Sequence, residues 1–223
     1  MKLISGLSFA EREAALMDAL GSRVDWPLVE VPVVAGRRSG IIRVTSDVLA
    51  LGTCDDFVRV PTTPRTAQRI ADALGLGLIT PTMSDAIWRA AQVRLEPRPI
   101  PRSSAMTGVA YFVRHNAMIE AARAGRTGLI AGHKKDVVLC NRLAYTPRRV
   151  AIYGWHELDG QPIQDVSLFH DDSYADYSHG IRFVAPTLRM GEEEIALEQV
   201  YADPDLAGMV SGEGRLRFTR YPI

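Results

Sequence analysis

The sequence of 223 residues has few cysteines, few lysines and no net charge, and each scarcity excludes something. Two cysteines, Cys54 and Cys140, cannot make a disulfide framework or a four-cysteine zinc site. No run of about eighteen apolar residues occurs, so no membrane span is expected. Basic and acidic residues balance at 26 each, which argues against a chain that coats nucleic acid or an anionic membrane. The glycine-rich loops GxGxxG and GxxxxGK[ST] are missing, as is GxSxG, so nucleotide-driven enzymes and ordinary α/β-hydrolases fit poorly. The stretch Met1–Ser8 carries one charge and meets Glu11-Arg12-Glu13 before an apolar signal core develops. A cytoplasmic protein is expected, or a secreted one if a signal peptide has been removed.

What is present reads as an ordinary globular domain, with 47% apolar and 23% charged residues. Two counts stand out. Positive charge is carried by 23 arginines but only by the lysines Lys2, Lys134 and Lys135. All five histidines (His115, His133, His156, His170 and His179) fall in one span of 65 residues. Side chains suited to proton transfer are therefore concentrated in the second half.

Local signals predict the elements. Ser8 and Glu11 make a capping box for a first helix with Phe9, Leu16 and Leu20 on one face and Gly21 as its stop. Leu28–Leu51 reads as a hairpin closed by the longer loop Gly36–Gly40. Thr63, Pro64 and Gly75 bracket a second helix. A third is expected from about Ser84 to Val93. Residues 96–104, with alternating prolines, predict an extended strut and a possible sub-boundary. Beyond it a helix is expected over His115–Ala124, and strands over Gly128–Ala131, Asp136–Cys140, Val150–Trp155 and 174–184. Helices are expected over Glu192–Tyr201 and Pro204–Val210. Without a regular βαβ repeat, the expected class is α+β: one domain, 1–223, with a mixed or antiparallel sheet and flanking helices.

Candidate chemistry lies where apolar strands end in polar groups or glycines: 132–136, 153–160, 170–174 and 176–182. In an extended 174–184, Tyr177, His179, Ile181 and Phe183 share one face and Asp176, Ser178 and Arg182 the other. His179 is then either a core histidine bonded to backbone or a general base. Ser178 and His179 point apart, so they do not form a nucleophile–base pair. His156 reads as a turn residue before Asp159-Gly160 or as a second base. Adjacent Lys134 and Lys135 read as a solvated turn, or as amines chosen because one can lose its proton. Cys140 reads as packed, and Cys54, beside Asp55 and Asp56, as unactivated.

Tyr177-Ser178-His179-Gly180-Ile181-Arg182 resembles the Ser-His-Gly-Cys-x-Arg motif of L,D-transpeptidases, bacterial cell-wall enzymes with a β-rich catalytic domain. Ile152–His156 is similar to that family's upstream histidine strand. Ile181 stands where the family has its nucleophilic cysteine, so the thiol mechanism does not carry over. Asp55–Pro64, His133–Val138 and Val150–Gln164 resemble an uncharacterised family of bacterial proteins, often with secretory signals, which brings no activity with it.

The expected function is a bacterial hydrolase or acyl transferase acting on an amide or ester bond of a peptide-like or cell-wall-like small molecule. His179 or His156 would be the base and Asp176 or Asp159 its orienting acid. Lys134 or Arg182 would face developing negative charge, and His133, Tyr177 and Trp155 would help bind the ligand. No cofactor is expected. The alternatives are a non-catalytic binding domain and a metal-dependent hydrolase that uses His156, His170 and His179, whose spacing matches no HExxH or paired-cysteine pattern.

Overall fold

The computed structural model describes residues 6–222, without the side chains of Phe9 and Ser22. The expectations for Met1–Ser5, and for Phe9 on the face of the first helix, therefore lie outside the described residues.

Helix α1 (Phe9–Asp18) starts where its capping box requires: Ser8 Oγ accepts from Glu11 N and the Glu11 carboxylate accepts from Ser8 N. Strands β1 (Leu28–Ala35) and β2 (Arg38–Thr45) pair antiparallel in register from Leu28↔Thr45 to Ala35↔Arg38. The connecting turn is only Gly36-Arg37, tighter than the expected loop, because Arg38, Ser39 and Gly40 join the ladder. Gly36, at φ 58°, supplies the left-handed backbone this tight connection needs. Strands β3 (Ala50–Gly52) and β4 (Phe57–Arg59) form a second hairpin.

Helix α2 (Pro64–Leu74) has Thr63 as its cap, Pro64 in its first turn and Gly75 in the left-handed conformation at its end. After β5 (Gly77–Leu78), helix α3 (Pro81–Ala90) begins three residues earlier than expected, capped by Thr80. Thr80-Pro81 repeats the Thr63-Pro64 signal, and this places Ser84 and Asp85 inside the helix. Strand β6 (Val93–Arg94) leads into the strut, which has no regular secondary structure from 95 to 103. Ile100 fastens it to the body: the Tyr177 hydroxyl accepts from Ile100 N at 2.7 Å and donates to Ile100 O at 3.1 Å.

Helix α4 (Val109–Arg123) is followed by β7 (Ile130–Ala131), β8 (Lys135–Val137), β9 (Ile152–His156) and β10 (Pro162–Ser167). The expected strand 174–184 is instead β11 (His179–Gly180) and the start of β12 (Phe183–Met190). Asp176 breaks it, because its carboxylate accepts from Ser178 N at 2.8 Å and Ser178 Oγ at 2.6 Å and so folds the chain into a local turn. The expected helix 192–201 also divides, into β13 (Glu193–Ala196) and α5 (Leu197–Ala202), and the last helical turn shortens to 207–209.

These elements form an α+β fold. One antiparallel sheet runs β1-β2-β12-β13 with β5 on β12, and a mixed sheet runs β10-β9-β8-β11, where β8 and β11 are parallel. Helices flank them, and one apolar cluster, including Val31, Ile42, Ile70, Ile87, Val137 and Leu188, runs continuously between the sheets. Among the described residues no helix is long and apolar enough to cross a membrane.

Candidate functional site

The site lies where three segments far apart in sequence meet: residues 45–49 after β2, helix α3, and the β8–β9 pair. A small cavity of about 10 Å³ is lined by Ser84, His133, Lys134, Asp136, His156 and Arg182, with apolar walls from Val48 and Ile87. That is about the space of one water molecule.

Two imidazoles on this cavity are each held by a carboxylate. His133 Nε2 lies 2.9 Å from Asp47 Oδ1, both groups fully buried. Asp47 also takes Arg59, with Nη2–Oδ2 at 2.5 Å, and Arg59 reaches Glu120 at 2.8 Å. Burial would raise the Asp47 carboxyl, but Arg59 and His133 together hold it well below the usual carboxylate range. An ionised carboxylate only accepts, so Nε2 of His133 carries the proton and donates. Burial keeps this imidazole neutral, its pKa pushed down to about 4 against the pull of Asp47. Its Nδ1 is then a lone pair with no protein partner.

The second pair is His156 with Asp85. His156 Nε2 lies 2.8 Å from Asp85 Oδ1, which also accepts from the Tyr153 hydroxyl at 2.8 Å. The other side of the ring faces Gly154: a Cβ there would stand 3.2 Å from His156 Cε1, 3.4 Å from Nδ1 and 3.2 Å from Ser84 Oγ. Gly154 (φ 101°) and Trp155 (φ 58°) are both in the left-handed region. For Trp155 that is a strained conformation, of a kind that clusters at functional sites. Ser84 Oγ donates to Asp136 Oδ2 at 2.6 Å, and burial pushes the Asp136 carboxyl up, toward its neutral acid.

Lys134 is not on a solvated turn. Its side chain is buried, with Nζ 3.1 Å from His115 Nδ1 and donating to the Tyr177 carbonyl. Burial, with Arg59 nearby, lowers its pKa to about 7. Arg182 is buried too, its terminal nitrogens donating to Thr45 O and Ile130 O at 2.7 Å each. Lys135 is half-buried with its ammonium 4.9 Å from the centre of the Trp155 ring.

The candidates thus divide. His133, Lys134, His156 and Arg182 share the cavity, whereas His179 is not on its wall. The His179 ring makes an edge contact with Tyr174 at 5.8 Å, and its buried Nδ1 has no protein partner. Burial lowers its pKa to about 4 although Asp176 opposes this. Asp176 is spent on Ser178 and on the Tyr174 hydroxyl at 2.9 Å. Asp159 lies in the exposed turn and accepts from Gln161 N, so the carboxylate on His156 is Asp85 instead. Tyr177 packs edge-on to His115 at 4.8 Å and clamps the strut. Ile181 is wholly buried in the core. Cys140 is buried, which raises its pKa, and Cys54 is exposed.

Sequence reasoning missed Asp47, Arg59, Ser84 and Asp85 as members of the site, and gave Asp136, within the candidate stretch 132–136, no role. One signal was available: a polar Thr45-Ser46-Asp47 interrupts an otherwise apolar stretch just after a strand. Among the described residues no group of three His, Cys, Asp or Glu is placed to hold a metal ion. Compared with known protein families, curated proteins and solved structures, the chain matches none.

Proposed function

We propose that the chain is a bacterial hydrolase or acyl transferase that acts on an amide or ester bond of a peptide-like or cell-wall-like small molecule, with His156 as general base. One observation carries this reading: two carboxylate-held imidazoles, His156 with Asp85 and His133 with Asp47, face one cavity beside the Ser84–Asp136 pair. Asp85 accepts a hydrogen bond from His156 Nε2–H, which leaves the Nδ1 lone pair of His156 on the Ser84 side. In acyl transfer that nitrogen removes the proton of the attacking hydroxyl as the new C–O bond forms. It returns the proton to the leaving nitrogen or oxygen as the old bond breaks. A water molecule, or Ser84 once its hydroxyl turns from Asp136 to His156, supplies the hydroxyl, and Lys134 and Arg182 provide positive charge for the developing oxyanion. His179 and Asp176 keep a supporting place beside the site.

Turnover of a panel of esters, amides and labelled cell-wall peptide fragments tests the reading. His156→Asn should lower turnover roughly 100- to 10,000-fold with the melting curve nearly unchanged. Asp85→Asn should lower it less and leave the fold intact, because Asp85 is partly exposed. Saturable binding with no turnover of any class by the wild type would instead make the same cluster a non-catalytic ligand site.

A further inference from the structure

A second pocket shares no wall residue with the histidine cavity and is far roomier, at about 220 Å³. It lies in the seam between two apolar clusters. One is the main core, which includes Leu49 and Phe183; the other is a small cluster of Val24, Ala50 and Phe57 with Trp26 against it. Leu28, Leu74 and Leu76 complete the apolar wall. The two charged residues of the lining, Arg23 and Asp25, pair with each other at 3.1 Å, and the Asp25 side chain is 88% exposed, which puts the pair at the mouth.

The wall is held in place by bonds of its own. Val24 N donates to Ala50 O at 2.9 Å, the Trp26 indole nitrogen to Val48 O at 2.8 Å and Ser46 N to Pro27 O at 2.9 Å, so residues 23–27 are fastened to 46–50. An apolar cavity of about 150 Å³ holds a benzene ring. This pocket therefore admits an aromatic ring or a branched alkyl group, and burying one there removes apolar surface from water.

The ion pair at the mouth decides what that apolar group is attached to. An exposed pair contributes little to stability, so both partners can share their charge with a ligand at small cost. A lone anion would be drawn by Arg23 and repelled by Asp25, and a lone cation the reverse. An α-amino acid carries both charges on neighbours of one carbon, and laid head to tail against the pair it meets each charge with its opposite.

We propose that this pocket binds a free α-amino acid with an apolar side chain, its side chain among Trp26, Leu49, Leu76 and Phe183, its carboxylate on Arg23 and its ammonium on Asp25. The proposal goes beyond the hydrolase reading and does not depend on it.

The test is a titration with L-phenylalanine at neutral pH, followed through the indole N–H resonances. That of Trp26 should move saturably, and those of Trp88 and Trp155, which are not on the wall, should stay. 3-Phenylpropionate lacks the ammonium and 2-phenylethylamine the carboxylate, and each should bind about fivefold or more weakly. Glycine, without the apolar group, should bind about tenfold or more weakly. Asp25→Asn, at an exposed position where the fold is kept, should bring phenylalanine down to the level of 3-phenylpropionate. An unmoved Trp26 resonance, equal affinity for phenylalanine and any of the other three compounds, or full affinity for phenylalanine in Asp25→Asn would each overturn the assignment. No step reads turnover, so an inactive protein that binds phenylalanine refutes only the hydrolase reading, and an active one indifferent to it refutes only the amino-acid site.

Discussion

His156 on β9 and His179 on β11 belong to one sheet, with β8 between them, yet their surroundings differ in kind. His156 has a carboxylate on one nitrogen and an open side toward Ser84 across Gly154. His179 is buried against Tyr174, has no side-chain hydrogen bond to Nδ1, and shares its neighbourhood with an Asp176 already occupied by Ser178 and Tyr174. A histidine becomes a useful base when one nitrogen is fixed by an acceptor and the other is left free toward the reacting group. Burial alone lowers its pKa without giving it anything to do. The two strands teach that a histidine at a strand end is defined by what crosses to it from elsewhere.

The sharpest way to probe this difference is at the carboxylates. Asp47→Ala leaves Arg59 and His133 buried without their shared anion, and should cost about 3–5 kcal/mol in denaturant unfolding. A loss under about 1 kcal/mol would mean that the pair is not the structural anchor of the cavity.

Acid should come next. His133 and His179 both have folded pKa values near 4, below the ordinary 6.5. The unfolded chain therefore binds protons first as pH falls from about 6.5 to 4, so stability should decline through that window. Melting curves across it measure the slope, and His179→Asn should flatten it. A slope unchanged by this substitution would show that His179 is not buried neutral.

Turnover separates the two histidines. His179→Asn should cost about 1–2 kcal/mol of stability and less than about tenfold in turnover, against the much larger loss expected for His156→Asn. Equal losses would erase the distinction between them. The smallest effect belongs to Cys54→Ala, which should move stability by no more than about 0.5 kcal/mol and leave turnover intact, since the thiol is exposed and uninvolved. A clear loss of turnover would point to a thiol mechanism.

The elements most legible in the sequence are those made by neighbours in the chain. Ser8 with Glu11, and Thr63-Pro64 with Gly75, act within a few residues, so the same contacts form in whatever tertiary setting they meet. The alternation of Val29, Val31 and Val33 marks a strand for the same reason. Thr80-Pro81 carried an equal signal for α3, and missing it cost the first turn of the helix, so that Ser84 and Asp85 were expected at its start rather than within it. Where a side chain could bond its own backbone, as Asp176 does, alternation misled, because a local turn competed with the extended chain.

The sequence by itself determined the class of fold, the start of the first helix, both ends of the second, the strut and the concentration of histidines in the second half. It also marked Lys134 as unusual, through the contrast of 3 lysines with 23 arginines. The tertiary structure alone decided which acid serves which base. His133 meets Asp47 from 86 positions away, His156 meets Asp85 from 71, and Ser84 meets Asp136 from 52. Such pairs are brought together by sheet pairing and by the shared apolar core, whose driving force is non-directional and leaves no mark beside either partner in the chain. The desolvation that keeps His133 neutral and lowers the pKa of Lys134 arises only when that core closes over them.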